Sequence, residues 1–144
     1  MSLKYNLVVF IRFFLKIENT RINQSESKLE HLATTDYLTG IANRRSAIQF
    51  AQSEFKRASR YKTHFSCIMC DIDCFKHVND KYDHDIGDKT LIAFTQSLSE
   101  ELRPSDLIAR LGGEEFLILL PETPLTHAIK LAERLCKKNI QYSN

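Results

Sequence analysis

Two apolar runs that meet at consecutive glycines constrain the fold of this chain more than any other feature of its sequence. The runs are DLIARL, residues 106–111, and EEFLILL, residues 114–120. Short apolar runs bounded by turn residues favour strands, and glycine readily adopts the positive φ that a two-residue hairpin turn requires. The sequence therefore predicts a β-hairpin with Gly112 and Gly113 at its turn.

The pattern outside the hairpin predicts one further strand and several helices. Apolar residues recur at helical spacing in residues 48–61, 87–102 and 126–138. The run FSCIMCDID, residues 65–73, is short and apolar and ends in carboxylates, which is typical of a buried strand. The order helix, strand, helix, hairpin, helix indicates an α/β sandwich of the βαββαβ, ferredoxin-like type, with helices on one side of an antiparallel sheet.

The first strand of this predicted sheet lacks a neighbour on one edge. The βαββαβ pattern assigns that edge to a strand after the last helix, and the sequence reaches Asn144 without one. We expect residues 36–144 to form one domain that is incomplete at its C-terminal end. The exposed edge would be prone to aggregation unless the apolar amino terminus or a second copy of the chain covers it.

The amino-terminal residues 1–35 form a separate segment. Residues 3–17 are apolar but contain Lys4, Arg12 and Lys16, so they are too short and too charged for a membrane span of about 20 residues. In a helix these cations share one face, as in a helix that lies on a membrane surface. Two interpretations stay open for residues 3–17, namely contact with a membrane surface or partner helix, and the end of a longer upstream region. Residues 18–34 are polar with a thin apolar stripe, which predicts a linker helix or a solvated tether.

Composition limits the possible partners and the cellular setting. The net charge of +2 is small and the basic residues are dispersed, which argues against a nucleic-acid polymer as the ligand. Three of the four cysteines lie in one apolar stretch and resemble buried thiols, so we expect a reducing, cytoplasmic setting. A zinc cluster of Cys67, Cys70, Cys74 and His77 is disfavoured. Residues three apart in a strand face opposite sides, so Cys67 and Cys70 cannot easily share a metal.

Two acidic pairs follow the predicted strand and the glycines. Asp71 and Asp73 end the strand, and Glu114 and Glu115 follow the turn. Taken alone, each pair is more readily explained as a solvated acidic turn. Together they could converge on Mg²⁺, which typically uses one or two carboxylates with phosphate oxygens and water. Such an arrangement suits phosphoryl transfer, because the metal neutralises charge and aligns the nucleophile with the leaving group.

Four motifs, in their order and spacing, resemble the GGDEF domain of diguanylate cyclases. They are DYLTGIANRR (36–45), DIDCFKHVNDKYDHDIGD (71–88), RPSD (103–106) and RLGGEEF (110–116). The resemblance leaves residues 1–35 unassigned. It implies a homodimeric enzyme that condenses two GTP molecules into cyclic di-GMP, with one GTP in each subunit. The alternative is a signalling module that binds GTP or cyclic di-GMP without turnover.

The resemblance also implies roles for individual residues. Mg²⁺, or Mn²⁺ in its place, would be held by Asp71, Glu114 and the backbone carbonyl of Ile72. Glu114 would also help to deprotonate the 3′-hydroxyl that attacks the second GTP. The other implied residues of the substrate and catalytic site are Phe75 and Lys76 at the triphosphate, Asn79 and Asp88 at the guanine, and His84, Arg110, Gly112 and Gly113.

Two further sequence features bear on regulation and on departures from the family pattern. Arg103 and Asp106 match an RxxD inhibitory site for the product, although by themselves they would be explained as a turn after a helix broken by Pro104. Asp83 stands where the family usually has glycine before its histidine. That position predicts a positive φ, which Asp tolerates better than most other residues.

Overall fold

The structure of the chain, a computed structural model, describes residues 2–4 and 34–140. These residues form five strands and four helices. The strands are β1 (Ser2–Lys4), β2 (Ala42–Asn43), β3 (Phe65–Asp71), β4 (Leu107–Gly112) and β5 (Glu115–Pro121). The helices are α1 (Arg44–Tyr61), α2 (Phe75–Tyr82), α3 (His84–Ser99) and α4 (Leu125–Ile140).

The five strands form one sheet in the order β1-β3-β5-β4-β2. Strands β3 and β5 pair antiparallel along their whole length, from Phe65 opposite Pro121 to Asp71 opposite Glu115. Strands β4 and β5 form the predicted hairpin, and the short β2 runs parallel to β4 on the far edge. The predicted α/β fold with a mostly antiparallel sheet is confirmed.

The second edge of β3 pairs with the amino terminus of the chain. Strand β1 runs antiparallel to β3, with Ser2 opposite Asp71 and Lys4 opposite Met69. This pairing satisfies part of the edge that the sequence predicted to be exposed. Residues 3 and 4 thus lie in a strand and not in the helix considered for residues 3–17. The rest of that segment, and residues 18–33 of the predicted linker helix, lie outside the described residues.

Helices cover both faces of the sheet, so the prediction of helices on one side only is wrong. One apolar cluster joins β3 and β5 to α2, α3 and α4 through side chains such as Phe116, Leu91 and Leu135. The other joins Leu117 and Leu119 of β5, with Ala109 of β4, to Ala47 and Ala51 of α1. Successive strand residues face opposite sides, so the continuous apolar run of β5 is explained by this two-sided cover. Burying each of its large side chains contributes about 1.5–3 kcal/mol, so β5 is a major source of the apolar stabilisation of the domain.

Two helices begin several residues earlier than predicted, and a third helix was not predicted. Helix α1 begins at Arg44 instead of residue 48 because the Asn43 side chain caps it and accepts a hydrogen bond from the Ser46 N–H at 3.0 Å. Helix α2 was not predicted as a helix, since its eight residues bury little apolar surface beyond Phe75. Helix α3 begins at His84, three residues before the predicted start. Within the described residues, no helix is long and apolar enough to cross a membrane.

Candidate functional site

The carboxyl end of β3 places Asp71 at the centre of the sheet edge. Asp71 lies between Ser2 of β1 and Glu115 of β5 in the register. Its side chain is half-buried, and its Oδ1 atom is shielded from solvent. A central strand holds its last residue in place from both sides, so the sheet fixes the position of this carboxylate.

The hairpin turn consists of Gly113 and Glu114, one residue later than the predicted pair of glycines. Gly112 still belongs to β4 and pairs with Glu115, after a bulge that displaces Leu111 from the regular register. Both glycines have positive φ, +149° and +53°, as the sequence predicted. Glu114 is thus a half-buried turn residue, while Glu115 is exposed at the start of β5. The sequence predicted both glutamates in the strand after the turn, with one on each side of it, and this is wrong because Glu114 precedes the strand.

The register brings the acidic turn and the end of β3 to the same edge of the sheet. Glu114 directly precedes Glu115, and Glu115 is the residue opposite Asp71. Two carboxylates and a backbone carbonyl form an oxygen-only donor set, which fits Mg²⁺ when phosphate oxygens and water complete the shell. Among the residues that the structure describes, no three His, Cys, Asp or Glu side chains are grouped as metal ligands. Cys67 and Cys70 contact different apolar clusters on opposite faces of β3, as the strand period predicted.

The predicted triphosphate turn is the first turn of helix α2. Cys74 precedes this helix with φ +57°, and its carbonyl accepts from the N–H groups of His77 and Val78. The Phe75 side chain is buried in the core, so only its backbone faces the turn. Lys76 is exposed beside it. The positive end of a helix and an ammonium group are suited to a phosphate ligand.

The two residues predicted to contact guanine lie on neighbouring helices that approach each other closely. Asn79 lies on α2 and Asp88 on α3, and the buried Gly87 separates them. A Cβ atom added to Gly87 would lie 1.8 Å from Asn79 Oδ1 and 3.3 Å from Phe75 Cζ. The absence of a side chain at Gly87 therefore allows the Asn79 amide to lie against the backbone beside Asp88. Sequence reasoning missed this role, although an isolated glycine inside a helical pattern often marks close packing.

Asp83 links α2 to α3 in a strained backbone conformation. Its φ of +75° confirms the predicted positive value, but its ψ of 162° lies in a region that is essentially restricted to glycine. The tolerance that Asp shows for left-handed helical backbone does not extend to this region. Its N–H donates to the Asn79 carbonyl at 3.0 Å, and its Oδ1 accepts from the His84 N–H at 2.8 Å. Its carbonyl accepts from the N–H groups of Ile86 and Gly87 at 3.2 and 3.3 Å. The His84 side chain is exposed, and its role in substrate binding stays a prediction.

Arg110 joins the hairpin turn to the turn that follows the amino-terminal segment. Its Nε donates to the Gly113 carbonyl at 2.9 Å, and its Nη1 pairs with Asp36 Oδ1 at 3.2 Å. Burial favours the neutral form of Asp36, but hydrogen bonds from Thr39 and the Arg110 guanidinium outweigh it and lower the pKa of this carboxyl. These contacts are those of a positioning residue, and the predicted catalytic role of Arg110 remains a prediction.

Arg103 and Asp106 border a cavity of about 200 Å³ at the opposite end of the β4–β5 hairpin. They also form the turn that the sequence predicted, because Asp106 Oδ2 accepts from the Arg103 N–H at 2.9 Å. The other carboxylate oxygen of Asp106 is buried and has no hydrogen-bond partner within the described residues. Such an oxygen lacks a hydrogen-bond donor that a ligand at this residue could supply. The remaining polar residues that line it were not predicted from the sequence, and they are Glu101, Thr123, His127, Lys130 and Arg134.

Comparison with known proteins identifies relatives of this domain. Residues 33–143 match the family described as the GGDEF domain of diguanylate cyclases. The chain is 43% identical over 113 residues to the response regulator PleD of Caulobacter vibrioides, covering 78% of this chain and 25% of PleD. It is 40% identical over 116 residues to the diguanylate cyclase DgcM of Escherichia coli, covering 81% of this chain and 28% of DgcM.

Solved structures of diguanylate cyclases and GGDEF domains have a similar fold. The diguanylate cyclase SiaD of Pseudomonas aeruginosa, in complex with its activator SiaC, superposes with a TM-score of 0.71 at 35% identity, over 90% of this chain and 48% of SiaD. The GGDEF domain of DgcB from Caulobacter crescentus, in complex with c-di-GMP, superposes with a TM-score of 0.69 at 30% identity, over 72% of this chain and 60% of that one. The chain thus spans between a quarter and a third of the two curated relatives named above. The sequence motifs, the fold and these matches together show that the chain belongs to the GGDEF domain family of diguanylate cyclases.

Proposed function

We propose that this domain condenses two molecules of GTP into cyclic di-GMP and releases two pyrophosphates. The observation that carries the proposal is the β3–β5 register, in which Asp71 lies opposite Glu115 and next to the Glu114 turn. Membership of the diguanylate cyclase family supports the same reaction. Bound Mg²⁺, held by the two carboxylates and the Ile72 carbonyl, would neutralise phosphate charge and align the reacting groups.

The chain's own residues bind and orient GTP in this proposal. Backbone N–H groups at the start of α2 and the ammonium of Lys76 meet the triphosphate, and the Gly112–Gly113 backbone allows close approach of the nucleotide. The Asp88 carboxylate accepts from guanine N1–H and the exocyclic amine, while the Asn79 amide contacts the other edge atoms. Adenine lacks that donor pair, so this subsite favours guanine.

Glu114 acts on the hydroxyl proton in each of the two condensations. The 3′-oxygen of one GTP forms a bond to the α-phosphorus of the other, and the hydroxyl proton passes to the Glu114 carboxylate. The bond from the α-phosphorus to the bridging oxygen breaks, and pyrophosphate leaves with the electron pair. A second, reciprocal step closes the ring. The described residues contain one such hairpin, so two copies of the chain must meet face to face about a two-fold axis.

The cavity at Arg103 is proposed to bind cyclic di-GMP as a feedback inhibitor. An arginine fork matches phosphate and guanine edges, and the buried Asp106 oxygen can accept from a guanine N–H. Because this cavity lies away from the GTP end of the hairpin, it would also serve a domain that binds cyclic di-GMP without turnover. That binding module is the second candidate function.

A turnover assay with GTP and Mg²⁺ tests the proposal, with Glu114→Gln and Glu115→Gln compared as neighbouring variants. We expect Glu114→Gln to lower formation of cyclic di-GMP at least about 10²-fold, on the scale of a lost general base and metal ligand. Glu115 is exposed, so the matched control variant should retain activity. Near-normal turnover by Glu114→Gln would refute the metal and base assignment. Product binding without any turnover in the unmodified chain would favour the binding module instead.

A further inference from the structure

The cavity at Arg103 contains a carboxylate that opposes its cationic lining. Glu101 Oε2 accepts from Arg134 Nε at 2.7 Å, and its Oε1 accepts from Lys138 Nζ at 3.1 Å. Glu101 and Arg134 both line the cavity, together with Arg103 and Lys130. A site suited to an anionic ligand thus holds a resident negative charge.

The three cationic side chains of the lining differ in whether they form an ion pair. Within residues 34–138, Arg103 and Lys130 take part in no ion pair, whereas Arg134 is held by Glu101. Hydrogen bonds from Lys138 and Arg134 lower the pKa of Glu101, so its carboxylate is ionised at neutral pH. The ion pair therefore persists under the conditions in which a phosphate ligand would bind.

The geometry of the Arg134 contact makes it a direct competitor of a phosphate. Arg134 Nε points to the Glu101 carboxylate, and Nη2 points to the Glu101 backbone carbonyl at 3.5 Å. These two nitrogens form one of the two guanidinium edges that can bind an anion in a bidentate manner. A phosphate can use this edge only if it displaces the Glu101 carboxylate.

We propose that Glu101 sets the affinity of this cavity for cyclic di-GMP by competing with the phosphates of that ligand for Arg134. The inference rests on the proposed feedback site and concerns its strength. Glu101 weakens binding in two ways, because it occupies donors of Arg134 and because its charge repels the phosphates. The domain would accordingly tolerate a higher product concentration before feedback begins.

The test is the Glu101→Gln variant of the full chain, with Glu100→Gln as the matched control. Both substitutions remove one negative charge from adjacent positions, and both glutamates contact Lys138. Only Glu101 lines the cavity and contacts Arg134. Isothermal titration calorimetry with cyclic di-GMP measures Kd directly, and thermal melting verifies that each variant is folded.

We expect Glu101→Gln to bind cyclic di-GMP about two- to fivefold more tightly than the unmodified chain, the range for a partly exposed ion pair. The gain should shrink at high salt, since exposed charges are screened. Glu100→Gln should bind with unchanged affinity. Equal or weaker binding by Glu101→Gln, or an equal gain in Glu100→Gln, overturns the role of Glu101 while the feedback site stands. Failure of the unmodified chain to bind overturns both, and the turnover of Glu114→Gln tests the cyclase assignment separately.

Discussion

The two ends of the β4–β5 hairpin carry different kinds of site. At the turn end, Gly113 and Glu114 meet the carboxyl end of β3 through backbone pairing. At the open end, residues near the start of β4, after the end of α3 and on one face of α4 line the cavity. The ends lie about 17 Å apart along β4, at about 3.3 Å per residue. Groups held in place by backbone register suit a reaction, whereas charged side chains that form ion pairs with one another suit a ligand whose affinity is adjustable.

Among the variants that compare the two ends, Gly87→Ala at the GTP end should have the largest effect. The new methyl group cannot coexist with Asn79 Oδ1 at 1.8 Å, so the amide must move away from the guanine subsite. We expect kcat/KM for GTP to fall about 10- to 100-fold, because displacements near 1 Å carry costs of that size. Calorimetric affinity for cyclic di-GMP at the open end should remain unchanged.

A double-variant cycle shows whether Gly87→Ala acts through Asn79. If it does, Gly87→Ala combined with Asn79→Ala should be no less active than Asn79→Ala alone. Additive losses would mean that the methyl group damages α3 packing in general, and that Gly87→Ala does not act through the guanine subsite.

Arg103→Ala is the reciprocal perturbation, directed at the open end. Loss of a charge-assisted contact to phosphate or guanine should raise Kd for cyclic di-GMP at least about tenfold and relieve product inhibition. The initial rate with GTP should stay near that of the unmodified chain. Arg57→Ala, which removes another exposed arginine that does not line the cavity, is the control. Unchanged product inhibition in Arg103→Ala would contradict the feedback assignment.

Asp83→Gly should stabilise the domain, because Asp83 has a backbone conformation that is essentially restricted to glycine. Relief of that strain should stabilise the folded state by about 1–3 kcal/mol. Loss of the hydrogen bond from the His84 N–H to the Asp83 side chain should cost only about a few tenths of a kcal/mol. A net gain of about 1–2 kcal/mol in the free energy of unfolding is expected in urea. Asp83→Asn, which keeps the strain, should show no such gain. A less stable Asp83→Gly variant would show that the cap contact outweighs the strain.

The smallest expected effect concerns acid stability and the Asp36–Arg110 pair. The pKa of Asp36 is lowered in the folded state, so its contribution is fully present above the ordinary value of 3.8 and is lost as the pH falls through the folded value. Arg110→Ala should cost about 1 kcal/mol at neutral pH and correspondingly less near pH 3. Urea unfolding at the two pH values measures this difference. A cost that is independent of pH would mean that Arg110 acts through packing or through its hydrogen bond to the Gly113 carbonyl, and not through its ion pair with Asp36.

Local sequence patterns were enough to predict the hairpin, strand β3 and the approximate positions of α1, α3 and α4. The positive φ of Asp83 was also predicted, whereas its glycine-only ψ was not. Helix α2 was missed because its eight residues bury little apolar surface apart from Phe75. The pairing of β1 with β3 was only one of two suggestions for that edge, since strand pairing between residues 2–4 and 69–71 depends on distant contacts.

By itself, the sequence determined the family, the turn-end motifs and the presence of Arg103 and Asp106 in one short run. These features are local, because a turn, a cap or a strand end depends on a few adjacent residues. Only the tertiary structure decided that helices cover both sheet faces, that Gly87 admits the Asn79 amide, and that Glu101 meets Arg134. Each of these is a contact between segments far apart in the chain or between packed helices, and hydrophobic packing rather than residue order brings such groups together.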